Sequence, residues 1–341
     1  MISFTNDYSE IAVPEIVTRI ASLGRQQFAG YGLDEISNQA REKIKKCLQY
    51  EDCDIHFLVG GTQANKVMID AMLRPFEAVA AVTSGHINVH ESGAIESSGH
   101  KIEALPAHDG KMKAADLEEL CNNRTDEHMV IIRGVYISNA TEIGTVYTKK
   151  ELQELREVCD RHGLYLFLDG ARLGTALMCE ENDLTMHDLC ELCDCFYIGA
   201  TKNGGMLGEA MVIINNDLKY GFRNLMKQNG AMMAKGVLLG IQFDSLFTDD
   251  LFFRMAAKEN RLAMKIRKSL EEMGFRFLVP SPTNQQFPVF PNELIDKLHE
   301  EFEFLVWEKG EKESPVRLVT SWATAEEDVD LLIKRVMELH V

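Results

Sequence analysis

The sequence predicts an α/β protein, with a mostly parallel sheet over the first 250 residues and a smaller α+β unit after it. Three observations predict this. Seven apolar runs of strand length alternate with amphipathic stretches of helix length, the rhythm of successive βαβ units. The strand-like runs are nearly continuous in apolar residues, as strands covered on both faces are. Near Asp249-Asp250 that rhythm ends and a long helical stretch begins.

In order, strands are expected at 55–59, 79–83, 101–105, 129–137, 164–168, 195–198 and 210–214. Helices are expected between them at 62–73, 114–121, 149–162 and 185–192. Beyond the break come a helix over 251–273, a run at 274–279, and a Pro-containing segment over 280–290. Apolar runs at 302–307 and 316–320 and a closing helix over 323–339 follow. The expected domains are therefore 1–250, which includes the N-terminal segment, and 251–341, which is within the usual size range of a domain. No internal repeat, low-complexity tract or long linker interrupts them.

The composition is that of a globular chain. Apolar residues make 45% and charged residues 26% of 341, which excludes wholesale disorder and supplies a core without disulfides. The net charge of −17 argues against nucleic acid or an anionic membrane as the partner. It leaves room for a small anionic ligand in a local basic pocket. The first residues carry no positive charge before Arg19, unlike a secretory or transit signal. No uncharged apolar run is long enough to span a bilayer, so a soluble cytoplasmic protein is expected.

Eight cysteines fit that compartment as thiols. Cys190, Cys193 and Cys195 lie close together, but a tetrahedral metal site needs a further ligand. Their other reading, a helix end running into a buried strand, is the expected one, and no metal is expected.

Three strand ends carry candidate chemistry. Gly60-Gly61-Thr62 follows a strand and opens a helix, where backbone N–H groups and the helix dipole can hold a phosphate. It matches neither the dinucleotide-binding nor the P-loop glycine pattern, so nicotinamide and nucleotide readings lose support. Asp169 ends the apolar run Leu166-Phe167-Leu168, at the sheet edge where ligands of open α/β sheets bind. Taken alone it could be a helix cap. Lys202 follows the apolar run Phe196-Tyr197-Ile198 with glycines on both sides. A desolvated lysine of lowered pKa can act as a Schiff-base nucleophile. An anion cradle, a carboxylate for a pyridinium nitrogen and a lysine amine are together what pyridoxal 5′-phosphate requires.

With those motifs in place, the chain resembles the L-threonine aldolase family, related to β-eliminating lyases, among the fold type I (aspartate aminotransferase-like) pyridoxal-phosphate enzymes. The resemblance runs nearly end to end and is nearest the phenylserine aldolase-like and low-specificity branch. It rests on Asn6-Asp7-Tyr8, Tyr31-Gly32-Leu33-Asp34-Glu35, 60–65, 86–94, 138–147, 168–173, 197–204, 227–236 and 316–320.

The resemblance implies roles. Lys202 would hold the cofactor as a Schiff base, with Thr201 beside it, and Asp169 would pair with the ring nitrogen. Gly61 and Thr62 would bind phosphate, and His86 would stack on the ring near the substrate hydroxyl. Arg172 and Arg317 would engage the substrate carboxylate or groups beside it, with Asn6 contributing to that pocket. Tyr31 and the region of Lys227 and Lys235 would come from a neighbouring subunit, with Lys235 or else Lys227 meeting the phosphate. A homodimer or homotetramer with shared active sites follows.

Two departures stand out. Many members carry a second His in a Glu-Asn-Thr-His-Asn stretch, and Thr141 of Ser138-Asn139-Ala140-Thr141-Glu142 is read as occupying its place. The Ser-Asp-Thr start of other members is Asn6-Asp7-Tyr8 here. His90 follows His86 by four residues in an expected helix, yet H-E-x-x-H is absent, so His90 reads as structural. Glu91 reads as an ion-pair or helix residue.

The implied reaction is retro-aldol cleavage of a β-hydroxy-α-amino acid of threonine, allo-threonine or phenylserine type to glycine and an aldehyde. His86, or a water it positions, would take the hydroxyl proton. The alternatives are β-elimination, transamination, or a non-catalytic protein that kept the cofactor pocket.

Overall fold

The computed structural model describes residues 1–340. Its seven-stranded sheet comprises β1 (Asp54–Leu58), β2 (Glu77–Val82), β3 (Lys101–Leu105), β4 (Ile131–Ser138), β5 (Tyr165–Asp169), β6 (Cys195–Gly199) and β7 (Glu209–Ile213). They lie in the spatial order β1-β7-β6-β5-β4-β2-β3. Pairing is parallel from β3 across to β6, and β7 runs against both its neighbours, β6 and β1. Because β7 is reversed, its first residue, Glu209, lies opposite Gly199 at the end of β6 and Leu58 at the end of β1. Ser138 likewise pairs with Asp169 at the ends of β4 and β5. Five strands thus deliver their chemistry to one edge.

Alternation along each strand divides the core into two faces. Leu166, Leu168, Phe196 and Ile198 pack into one apolar cluster, while Phe167, Cys195 and Tyr197 pack into the other. This two-sided burial is why the strands read as unbroken apolar runs.

The helices begin and end where local chemistry dictates. Lys149–His162 opens on a reciprocal Thr148–Glu151 capping box and closes on Gly163 at φ 65°. Met186–Leu192 opens on a second such box and runs through Cys193 into β6. Cys190, Cys193 and Cys195 are buried there, and burial pushes the Cys190 thiol up to about 12. Among the described residues no group of three or more metal-ligating side chains converges. The helix expected to carry both His86 and His90 stops sooner, at Val89, because Ser92 and Gly93 take positive φ just beyond it. The strand expected from 129 starts at Ile131, since Met129 closes a turn onto the carbonyl of Asp126. No described helix is long and apolar enough to cross a membrane.

A third apolar cluster gathers Leu262, Ile266 and Leu270 of the helix Leu251–Glu272 with Phe290, Phe302, Val316 and Val336. Phe4 joins it, and Ile2–Ser3 pairs in parallel with Phe302–Glu303, so the first residues of the chain are tied to its last hundred. Glu313–Val319, which carries Arg317, pairs antiparallel with three short strands around it.

Candidate active site

At the shared strand edge lies a cavity of about 320 Å³ lined by Gly60, Gly61, Thr62, His86, Glu142, Asp169, Arg172, Thr201, Lys202 and Glu209, among others. One wall is the start of the helix Gly61–Met72, capped by Gly60 with no side-chain hydrogen bond. The first N–H groups of a helix have no intrahelical partner, and they carry its positive end. A Cβ at Gly61 would stand 3.0 Å from the Tyr197 hydroxyl, so a larger residue there would press on that side chain.

Asp169 is 4% exposed and fully engaged. Its Oδ1 accepts from the Tyr197 hydroxyl and, at 2.9 Å, from the backbone N–H of Ala171. Its Oδ2 accepts from the Tyr136 hydroxyl and, at 3.1 Å, from Asn65 Nδ2. Burial, and then the charge of Asp169 itself, holds both tyrosines far above the usual phenol range, so they remain donors. Four donors thereby fix the position of this carboxyl group in the cavity wall.

Lys202 stands in the turn after β6. Asn203 anchors that turn by donating to the carbonyl of Phe252 at 2.8 Å. Burial and the Arg172 guanidinium lower the Lys202 pKa, while Asp7, Asp169 and Glu209 pull it back. A neutral amine is what attack on a carbonyl needs. Glu209 accepts from the Thr201 hydroxyl at 3.0 Å through Oε1, and its buried Oε2 has no partner among the described residues. Burial pushes its carboxyl up to about 8, with Thr201 and Lys202 drawing it down and Asp169 adding to the rise.

His86 enters from the turn after β2. Its Nδ1 lies 2.7 Å from Oε1 of the buried Glu91, and the same oxygen accepts from Asn65 Nδ2 at 2.8 Å. Asn65 therefore links the Asp169 and Glu91 carboxylates. The His86 backbone N–H donates at 2.9 Å to Glu142 Oε1, which also accepts from Ser138 Oγ at 2.8 Å. Thr141, read as holding the second histidine's place, does not line the cavity. Thr141 is 1% exposed and its hydroxyl is spent on Thr145, inside the turn that closes on Gly144. The next side chain, Glu142, is the one that faces the cavity.

A second cavity of about 370 Å³ adjoins the first through Tyr8, His86, Glu142, Arg172 and Lys202, and adds His90, Leu305, Trp307 and Arg317. Arg172 has most of its guanidinium committed, since Nε and Nη2 donate to the two oxygens of Asp7 at 2.7 and 3.0 Å. Arg317 has capacity left. It donates to the carbonyl of Thr5 at 3.2 Å, lies 5.5 Å over the Trp307 ring, and keeps a buried Nε without partner among the described residues.

The other expected residues lie apart. Asn6 lines neither cavity, its side-chain oxygen accepting from Tyr8 N–H at 2.9 Å and Ser9 Oγ at 3.0 Å to shape the N-terminal turn. Tyr31 lines a different cavity with Arg41 and Arg223, with the Lys227 ammonium 4.8 Å over its ring. Lys235 is exposed.

Sequence reasoning gave no role to Asn65, Tyr136, Tyr197, Glu142 or Glu209. A usable signal existed for three of them. Tyr136 and Tyr197 are polar groups inside otherwise apolar strands, and Glu209 opens one, places that tolerate a buried polar group only with a partner or a function.

Comparison with known proteins was made with this geometry in hand. The family model for beta-eliminating lyases matches residues 14–292. The low specificity L-threonine aldolase of Pseudomonas aeruginosa is 29% identical over 344 residues, spanning 98% of this chain and 94% of that one. The solved structure of Leishmania major threonine aldolase superposes with a TM-score of 0.99 at 46% identity, with all of both chains covered. An aspartate aminotransferase from Thermus thermophilus, 14% identical, superposes with a TM-score of 0.71 over 99% of this chain and 91% of its own, a likeness of fold.

Proposed function

The chain belongs to the beta-eliminating lyase family as a pyridoxal 5′-phosphate-dependent lyase, and from that premise we propose that it cleaves the Cα–Cβ bond of a β-hydroxy-α-amino acid, releasing glycine and an aldehyde. The observation that carries the proposal is the meeting of Lys202, Asp169 and the Gly60-Gly61-Thr62 helix start around one cavity. These residues fit the cofactor by their own chemistry. The helix start offers uncommitted N–H groups for a phosphate, Asp169 a fixed carboxyl group for a protonated ring nitrogen, and Lys202 a desolvated amine.

When bound, pyridoxal 5′-phosphate supplies an aldehyde that condenses with amines and a ring that accepts the electron pair of a breaking bond. The protein directs that chemistry. Asp169, fixed by two tyrosines and Asn65, opposes loss of the ring proton. Arg317, with free donors, takes the substrate carboxylate as a guanidinium fork does. Arg172 is held to Asp7 where the two cavities meet. His86, tethered to Glu91, closes the face of the site in a fixed orientation.

Tyr31, Lys227 and Lys235 stand away from this cavity, and we read them as a set offered to the site of a second copy, in a homodimer or dimer of dimers. A cytoplasmic setting goes with this reading. Incubation with L-threonine, L-allo-threonine and phenylserine tests the reaction: glycine and aldehyde in equal amounts support it. Ammonia with a keto acid would point to elimination instead, and a new amino acid to transamination.

A further inference from the structure

We propose that Glu142 is the group that takes the proton of the substrate's β-hydroxyl, an inference that rests on the aldolase reading of the site.

The two cavities meet between Lys202 and Arg317, the groups that the proposed reaction assigns to the substrate's nitrogen and carboxylate, and this places the bond to be broken at their meeting. Five side chains border both cavities: Tyr8, His86, Glu142, Arg172 and Lys202. Four are otherwise employed or poorly suited. Lys202 is the cofactor's anchor. Arg172 is held by Asp7 and, as a guanidinium, cannot accept a proton. Tyr8 is 53% exposed, so its side chain is solvated rather than fixed on the site. His86 has Nδ1 tied to Glu91 and a side chain 35% exposed, so its other nitrogen is open to water rather than fixed on the substrate.

Glu142 is placed differently. Oε1 is pinned by the His86 N–H and the Ser138 hydroxyl, which sets the carboxyl plane. Oε2 is buried and has no hydrogen-bond partner among the described residues. A buried carboxylate oxygen without a donor is costly unless a ligand supplies one, and a substrate hydroxyl is such a donor. Burial holds the Glu142 carboxyl above its usual range, with Ser138 and backbone N–H groups drawing it back and Asp169 adding to the rise. The charged and titratable groups around it are Asp169, Tyr136, Tyr147, Arg172, His86 and Lys202. A raised carboxyl is a better base than an ordinary one at neutral pH.

The step balances. The O–H bond breaks as its proton passes to Oε2, the Cβ–O bond becomes the aldehyde carbonyl, and the Cα–Cβ electron pair stays with the α-carbon. Glu142 then releases that proton to solvent and Cα takes one from solvent through another group, so that O–H and Cα–Cβ have been exchanged for C=O and Cα–H with no oxidant or reductant.

The test is Glu142→Gln in the cofactor-loaded protein. Glutamine keeps an Oε1 acceptor for His86 and Ser138 but cannot take the proton. Glycine release from L-threonine should fall by ~10²-fold or more. The absorbance change on titration with glycine, and exchange of the glycine α-proton with solvent deuterium, should stay within about twofold of the parent, because glycine has no hydroxyl. Glu142→Asp should recover part of the cleavage. Equal cleavage by Glu142→Gln, or loss of glycine binding and exchange in step with cleavage, would overturn the assignment; the latter would make Glu142 structural. If Glu142→Gln fails to fold, failure of Glu142→Asp to show the same split between cleavage and glycine exchange would overturn it equally. Should the parent protein release no glycine from any of the three β-hydroxy amino acids, the aldolase reading itself fails.

Discussion

Asp7 grips Arg172 through both carboxylate oxygens, at 2.7 Å to Nε and 3.0 Å to Nη2, across 165 positions of sequence. Burial pushes the Asp7 carboxyl up, but Arg172, Lys202 and the hydrogen bonds from Arg172 and Asn284 outweigh it and leave the pKa below its ordinary value. Arg172 is thus a positioned strut at the cavity seam, and the N-terminal segment is tied to the site through its partner.

Asp7→Asn leaves a buried guanidinium without its counter-charge and should destabilise the fold by about 3–5 kcal/mol at neutral pH. The folded pKa lies below the unfolded one, so the pair's contribution is complete above the ordinary carboxylate range and is lost as pH falls through the folded value. Denaturant titrations of parent and variant should therefore differ most at neutral pH and converge in acid. A difference that does not change with pH would show that Asp7 acts by packing alone.

Glu91 fixes the imidazole of His86 from 2.7 Å. Glu91→Gln should keep the cofactor bound and lower kcat by about 10–100-fold, by analogy with carboxylates that orient metal-bound imidazoles. Steady-state kinetics beside cofactor titration would separate the two effects. Weakened cofactor binding with unchanged kcat would assign Glu91 to the cradle.

Much of this site was legible in the sequence because strand ends are legible. Unbroken apolar runs located β5 and β6 within a residue or two, and Asp169 and Lys202 stood out as polar groups directly after them. What escaped depends on which way a loop turns. Thr141 and Glu142 are neighbours, and only the turn through Gly144, closed by Thr141 and Thr145, decides that Glu142 faces the cavity. Nor could spacing show that Asp7 occupies most of the Arg172 fork, which leaves Arg317 with the freer donors. The same holds for Phe4, whose place in the core of the last hundred residues is set by pairing of Ile2–Ser3 with Phe302–Glu303.

Tyr136→Phe or Tyr197→Phe removes a hydrogen bond to the buried Asp169 carboxylate. Such bonds to charged groups contribute ~1.5–3 kcal/mol, so each variant should melt lower, and cofactor affinity should weaken by roughly tenfold or more as the carboxylate loosens. Equilibrium dialysis of pyridoxal 5′-phosphate against each variant measures the second effect. Unchanged affinity in both would mean that Asn65 and the Ala171 N–H suffice to hold Asp169.

Glu209 gives a signal in the opposite direction to Asp7. Its folded pKa is raised, to about 8 from 4.5, so its cost to the fold grows as pH rises through that window. Glu209→Gln removes this cost. The cofactor-free variant should gain stability relative to the parent as pH climbs from about 4.5 to about 8, read by denaturant titration along the series. A parallel pH course for the two proteins would mean that Lys202 compensates the Glu209 charge completely.

The central claim is that the Lys202 amine is the point of attachment of pyridoxal 5′-phosphate. Borohydride reduction of the loaded protein, followed by digestion and mass mapping, tests it most directly. The account predicts a phosphopyridoxyl group on Lys202 and on no other lysine, absent from Lys202→Ala. The same group on Lys227, Lys235 or another lysine, with Lys202 unmodified, would contradict it.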